Sequence, residues 1–202
     1  TNYTIKNKNI SIDEIYDIVF KDKKLSLSKT VISNINKSRS FLEKKIRDEN
    51  KPFYGINTGF GDLHNVKIDN DNLEILQSNL LRSHACGTGE KVESNIVKLM
   101  MLLKIISLSK GFSGIKLETV ERLLFFYNNN IFPVVYKYGS LGASGDLSPL
   151  SHMSLPIIGE GEVEYKGKII NSKKVLKKYS LKKISLGSKE GLANLAMAIT
   201  DP

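Results

Sequence analysis

The chain has one cysteine, four arginines and three histidines in 202 residues, and no long apolar run. Cys86 alone excludes an intrachain disulfide framework. A membrane-spanning helix needs roughly 18 consecutive apolar residues, and no stretch approaches that. After Thr1-Asn2-Tyr3-Thr4-Ile5 the sequence alternates charged and apolar positions, without the unbroken apolar core of a signal peptide. The expectation is a soluble cytoplasmic protein with no membrane partner. His64, His84 and His152 stand far apart, and none forms a short ligand pair with a Cys, Asp or Glu, so no zinc site is signalled. The glycines of 139–145 have the wrong spacing for a dinucleotide loop. Lys116 does not complete a phosphate loop, and no Gly-x-Ser-x-Gly elbow occurs.

What is present is an ordinary globular balance, 41% hydrophobic and 25% charged, enough for one good core. Net charge is +9, from 30 basic against 21 acidic residues. A nucleic-acid partner is one reading of that balance. Arginine reads bases and phosphates bidentately, however, and nearly all the basic residues here are lysine. Lysine, asparagine and isoleucine are abundant together, as in AT-rich coding sequence, and nine lysines fall in 166–189. The expectation is no nucleic-acid partner, with a basic nucleic-acid-binding domain kept as an alternative.

Helical periodicity dominates the chain. Ser11 and Glu14 form a capping box ahead of Ile12, Ile15, Ile18 and Val19. Further helices are predicted from about Ser28 to Arg47, from Asn70 towards His84, from Val92 to Ser109 and from Lys116 to Asn128. In the most apolar of these, Ile96, Leu99, Met100, Leu103 and Ile106 form the main stripe, which Met101, Leu102, Ile105 and Leu108 widen. Pro52 to Gly61 breaks the pattern with three glycines among aromatics, and reads as a loop. Val134-Val135-Tyr136 reads as extended, 147–158 as mostly helical, and 163–170 as a small hairpin around Lys166-Gly167 before a lysine-rich helix. The fold class is mainly α, with one small β excursion.

The chemistry centres on Ala143-Ser144-Gly145-Asp146. Such a turn is often only structural. Glycine, however, carries no Cβ to shield its nitrogen. Pressed onto the carbonyl carbon of Ala143, the nitrogen of Gly145 can close a five-membered ring with loss of water. Loss of the Ser144 hydroxyl as a second water then leaves an exocyclic methylidene, a built-in electrophile.

In these residues the sequence resembles the histidine ammonia-lyases, within the aromatic amino acid ammonia-lyases. Gly139-Ser140-Leu141-Gly142-Ala143-Ser144-Gly145-Asp146-Leu147-Ser148-Pro149-Leu150 matches the family signature throughout, and Tyr54 to Gly61 matches its N-terminal loop. Leu76-Gln77, Ser83-His84, Leu103-Lys104-Ile105 and Gly111-Phe112-Ser113-Gly114 match in the same order, so the likeness covers roughly residues 5–193. The resemblance implies a 4-methylidene-imidazol-5-one formed from Ala143, Ser144 and Gly145, with no external cofactor. It implies L-histidine as substrate, trans-urocanate as product and a homotetramer for the full-length protein. Tyr54 matches the family tyrosine proposed as base; a phenol titrating near 10 needs neighbouring charge or donors for that task. Its bland alternative is an aromatic loop anchor. His84 is similar to the histidine-specific branch, where a ring nitrogen would hydrogen-bond the substrate imidazole. Asp146 either orients the cyclising turn or caps the following helix, and Cys86 reads as structural.

Family members run to about 500 residues, beyond one ordinary domain. Residues 1–202 therefore resemble the N-terminal, electrophile-forming domain, truncated before the central helical bundle, which would supply an arginine and a glutamate to the site. Glu190-Gly191-Leu192-Ala193 fits the family, but the residues after Ala193 depart from it. The family asparagine would fall at Ala196, so it is not carried onto Asn194. Tyrosine or phenylalanine ammonia-lyase, an aminomutase and a non-catalytic remnant are the alternatives.

Overall fold

The computed structural model describes residues 1–49, 51–59, 62, 66–140 and 145–195. Ala143 and Ser144, like His64, lie outside the described residues. The fold is mainly α, as expected. Helix α1 (Ile12–Phe20) starts at the expected capping box: Ser11 Oγ accepts from Glu14 N, and Glu14 Oε2 accepts from Ser11 N. α2 (Lys29–Asp48) is capped by Ser28 and buries Val31, Ile35 and Leu42 along the expected stripe. α3 (Asn70–His84) buries Leu73, Leu80 and Leu81. α4 (Ser94–Ser109) and α5 (Leu117–Asn128) pack together at the centre of the core.

The inner face of α4 differs from the expectation. Val97, Met101, Leu102, Ile105 and Leu108 are buried, whereas Ile96 is exposed and Leu99, Met100 and Leu103 are half-buried. The helix is apolar nearly all round, so periodicity alone cannot choose its inward side. The neighbours choose it: α2, α5 and the Ile131–Pro133 strand all pack against α4.

Strands are also more numerous than expected. Among the described residues there are three small sheets. β1 (Asn2–Ile5) and β2 (Lys24–Leu27) pair in parallel, with α1 as their crossover. The Asn128 side chain closes the β2 edge, accepting from Leu25 N at 2.7 Å and donating to Leu25 O at 2.8 Å. β3 (Thr88–Lys91) pairs antiparallel with β5 (Tyr136–Tyr138). β4 (Ile131–Pro133) joins the expected hairpin of β6 (Glu162–Tyr165) and β7 (Lys168–Asn171). The unexpected strands span three or four residues and pair with distant ones, so no local alternation announces them.

α6 (Leu147–Ser154) runs into a 3-10 turn (Leu155–Ile158), α7 (Ser172–Lys178) is the lysine-rich helix, and α8 (Glu190–Leu195) closes the described chain. α3, α6 and α8 pack against one another pairwise. Gln77 Oε1, fully buried on α3, accepts from Gly191 N at 2.7 Å and Leu192 N at 3.3 Å at the start of α8. Ser151 Oγ on α6 donates to Leu81 O on α3. This three-helix knot positions the site: α3 ends at His84, and α6 begins just after Gly145-Asp146.

Candidate active site

His84, the last residue of α3, is half-buried, and its ring is pinned from within its own helix. Nδ1 lies 2.9 Å from Leu80 O and 3.1 Å from Ser83 Oγ. A carbonyl only accepts, so Nδ1 carries the proton, and in the neutral ring Nε2 presents a lone pair. Ser83 Oγ donates to the same carbonyl at 3.0 Å. An acceptor nitrogen with a fixed ring plane is what recognition of a ligand N–H requires.

Gly139, which opens the 139–146 segment, lies beside the chain just beyond His84. Gly139 has φ +118, and a Cβ there would lie 2.9 Å from Gly87 Cα. Backbone meets backbone here, so only glycine fits. At the far end, Gly145 has φ +92, and a Cβ would meet nothing within 4 Å among the described residues. Dihedral, not space, demands glycine at 145. An open, left-handed glycine backbone fits the nitrogen that a self-condensing Ala143-Ser144-Gly145 requires. Leu147 N donates to Gly145 O at 2.9 Å, closing the turn into α6.

Asp146 holds this turn and does not cap the helix with its side chain. It occupies the N-cap position of α6, but its side chain makes no capping bond. Instead Oδ1 accepts from Ser140 Oγ at 2.7 Å, bridging the two ends of the segment. Sequence reasoning did not single out Ser140, because a hydroxyl six residues away carries no local signature. Cys86 is exposed and so is not a core residue.

Tyr54 sits in a loop tied by two buried polar side chains. Asn57 Oδ1 accepts from Phe53 N at 2.6 Å, and its Nδ2 donates to Lys51 O at 3.0 Å. Thr58 Oγ1 accepts from Gly55 N at 3.3 Å and donates to Gly59 O at 2.9 Å. The loop's aromatic anchor is Phe53, which lines a cleft with Leu42, Ile46 and Phe112 and faces the ammonium groups of Lys45 and Lys51. Tyr54 itself is 62% exposed. Of the expected site residues, the described contacts thus bring together the segments of His84 and Gly145.

A cleft of about 570 Å³ opens beside the turn, walled by Ile96, Met100, Leu103 and Leu150 with Ser140 and Asp146 at one side. Three residues of the main stripe expected on α4, Ile96, Met100 and Leu103, line this cleft. Among the described residues no cluster of three His, Cys, Asp or Glu side chains could hold a metal. No helix among them is long and apolar enough to cross a membrane.

A family model described as aromatic amino acid lyase matches residues 10–196. The chain is 46% identical over 189 residues to histidine ammonia-lyase 2 of Fusobacterium nucleatum, a match taking in 94% of this chain and 37% of that protein. The histidine ammonia-lyase structure from Trypanosoma cruzi aligns with a TM-score of 0.86 at 32% identity, over 96% of this chain and 37% of the other. The ergothioneine-degrading ergothionase of Treponema denticola aligns with a TM-score of 0.91 at 30% identity, over 97% and 39%. The chain therefore spans a little over a third of the length of the curated relatives it matches.

Proposed function

The chain belongs to the aromatic amino acid lyase family, and on that premise we propose that its full-length product eliminates ammonia from L-histidine to give trans-urocanate. Residues 1–202 serve in this reading as the N-terminal domain that forms the electrophile, within a homotetramer. The observation that carries the histidine assignment is the His84 ring, fixed through Nδ1 to Leu80 O, which in the neutral ring leaves Nε2 as the acceptor. The likeness to histidine ammonia-lyases supports it.

The 4-methylidene-imidazol-5-one formed from Ala143, Ser144 and Gly145 supplies an electrophile to activate a poor leaving group. The chain's own residues do the rest. His84 Nε2 accepts from the N–H of the substrate imidazole and fixes the ring. A site built to pair such a group rejects analogues that lack it, because the buried partner is left unpaired. Tyr54, as base, takes the β-proton. The electron pair of that C–H bond becomes the Cα–Cβ π bond, and the Cα–N pair departs with ammonia. The Ser140–Asp146 bridge holds the turn that carries the reactive segment.

Intact mass and turnover of the full-length product test this. Ring closure and dehydration remove two waters, about 36 Da, as a self-made modification. The parent protein is expected to show that deficit and to form urocanate from histidine. Ser144→Ala is expected to show neither. Full activity in Ser144→Ala overturns the reading. A panel of histidine, tyrosine and phenylalanine, run on the parent and on His84→Leu, separates the histidine assignment from the tyrosine and phenylalanine alternatives.

A further inference from the structure

We propose that His152 is a positioning residue, whose ring clamps the backbone of Gly87 and so holds the chain leaving His84 against Gly139, where the segment leading to Ala143-Ser144-Gly145 begins. The inference rests on the histidine ammonia-lyase reading for its consequence in catalysis, and on geometry for the clamp itself.

Gly87 N donates to His152 Nε2 at 2.9 Å. An imidazole that accepts at Nε2 carries its proton on Nδ1, so the clamp needs the neutral ring. Burial lowers the pKa of His152 below the ordinary imidazole value, which favours that neutral form. The edge of the ring is fixed by Tyr136, with centroids 5.1 Å apart and planes at 71°. Three groups then lie close without a side chain between them. A Cβ at Gly87 would lie 3.0 Å from His152 Nε2 and 3.2 Å from Tyr136 Cβ, and one at Gly139 would lie 2.9 Å from Gly87 Cα. The imidazole and the Gly139 backbone thus both meet the Gly87 backbone closely.

The three partners come from the segments that matter. Gly87 stands three residues after His84, Gly139 opens the turn that leads to Ala143-Ser144-Gly145, and His152 rides on α6, the helix directly after that turn. This hydrogen bond adds to the α3–α6 packing and the β3–β5 pairing in setting where the substrate-selecting ring lies relative to the reactive segment. A displacement of about 1 Å in such a relation is enough to cost about a hundredfold in rate. His152 touches no reacting atom; it acts through Gly87.

The test uses the full-length product with His152→Leu, which removes the acceptor, and His152→Gln, whose Oε1 can replace it. His152→Asn, polar but too short to reach Gly87, substitutes for the leucine variant if that one does not fold. The Leu variant is expected to lose about ten- to hundredfold in kcat/KM for histidine, the size of one buried hydrogen bond. It is expected to keep its two-water mass deficit and to exchange the Gly87 amide faster by hydrogen-exchange mass spectrometry. The Gln variant should restore both kcat/KM and protection. In a His84→Leu background, His152→Leu should add little further loss, because the clamp works through His84. Unchanged Gly87 exchange and unchanged kcat/KM in the Leu variant overturn the clamp. A parent protein that forms no urocanate overturns the functional reading instead, and Gly87 exchange alone then decides the clamp.

Discussion

At the scale of single residues, polar groups in this chain acquire their roles from partners both near and far in sequence. Asp146 stands where a helix cap belongs, yet its carboxylate turns to Ser140 and braces the glycine-rich segment. His84 is oriented by its own helix, and His152 by a backbone amide 65 positions away. Lys104 is another case. It is fully buried on α4, and its Nζ donates to Ala193 O at 2.5 Å. Burial lowers its pKa from 10.5 to about 7. Between those values the unfolded chain binds a proton that the folded one does not, so stability rises with pH across that window and is lost as pH falls towards 7. We expect urea denaturation to show a gain of about 2 kcal/mol from pH 7 to pH 9. Lys104→Met should flatten that slope; an unchanged slope in the variant would show that Lys104 is not its source.

At the scale of elements, short helices here are held by side chains borrowed from longer ones. α8 has only six residues, too few to be stable alone. Gln77 of α3 receives its first amides, and its first residue, Glu190, is fully buried. Glu190 accepts from Thr119 Oγ1 at 2.8 Å, Lys116 N at 3.0 Å and Gly187 N at 2.7 Å, tying α8 to the start of α5. Glu190→Gln replaces one accepting oxygen with a donor that faces these donors. It is expected to cost about 2–4 kcal/mol, read from the shift in urea midpoint at constant slope. A change under about 0.5 kcal/mol, the scale of a surface substitution, would refute the clamp at this element. The long helices were readable from their periodicity, and the hairpin from Lys166-Gly167. The parallel β1–β2 pair and β3–β5 were not readable, because their partners lie 22 or more positions apart and each strand is too short to carry a pattern.

At the scale of the whole molecule, charge and family membership point in different directions. The excess of +9 would suit a polyanion, but the four lysines of α7 lie exposed on one short helix, without the arginines that recognise phosphate by shape. We expect only the weak, salt-sensitive duplex binding of any basic protein, at about 10⁻⁴–10⁻⁶ M near physiological ionic strength. Nanomolar affinity in a filter-binding or anisotropy assay at that salt would restore the nucleic-acid reading. The likeness to a solved histidine ammonia-lyase covers 96% of the chain and so takes in the knot of α3, α6 and α8, which bears His84.

The residues themselves determined the long helices, the hairpin, the Ala143-Ser144-Gly145 motif and the family, because each is written in local periodicity or contiguous motif. Only the tertiary structure decided which face of α4 is inward, that Asp146 braces instead of caps, and that His152 and Gly139 both meet Gly87. Those outcomes depend on which distant backbone arrives within about 3 Å, and no local pattern encodes an approach set by the packing of several elements at once.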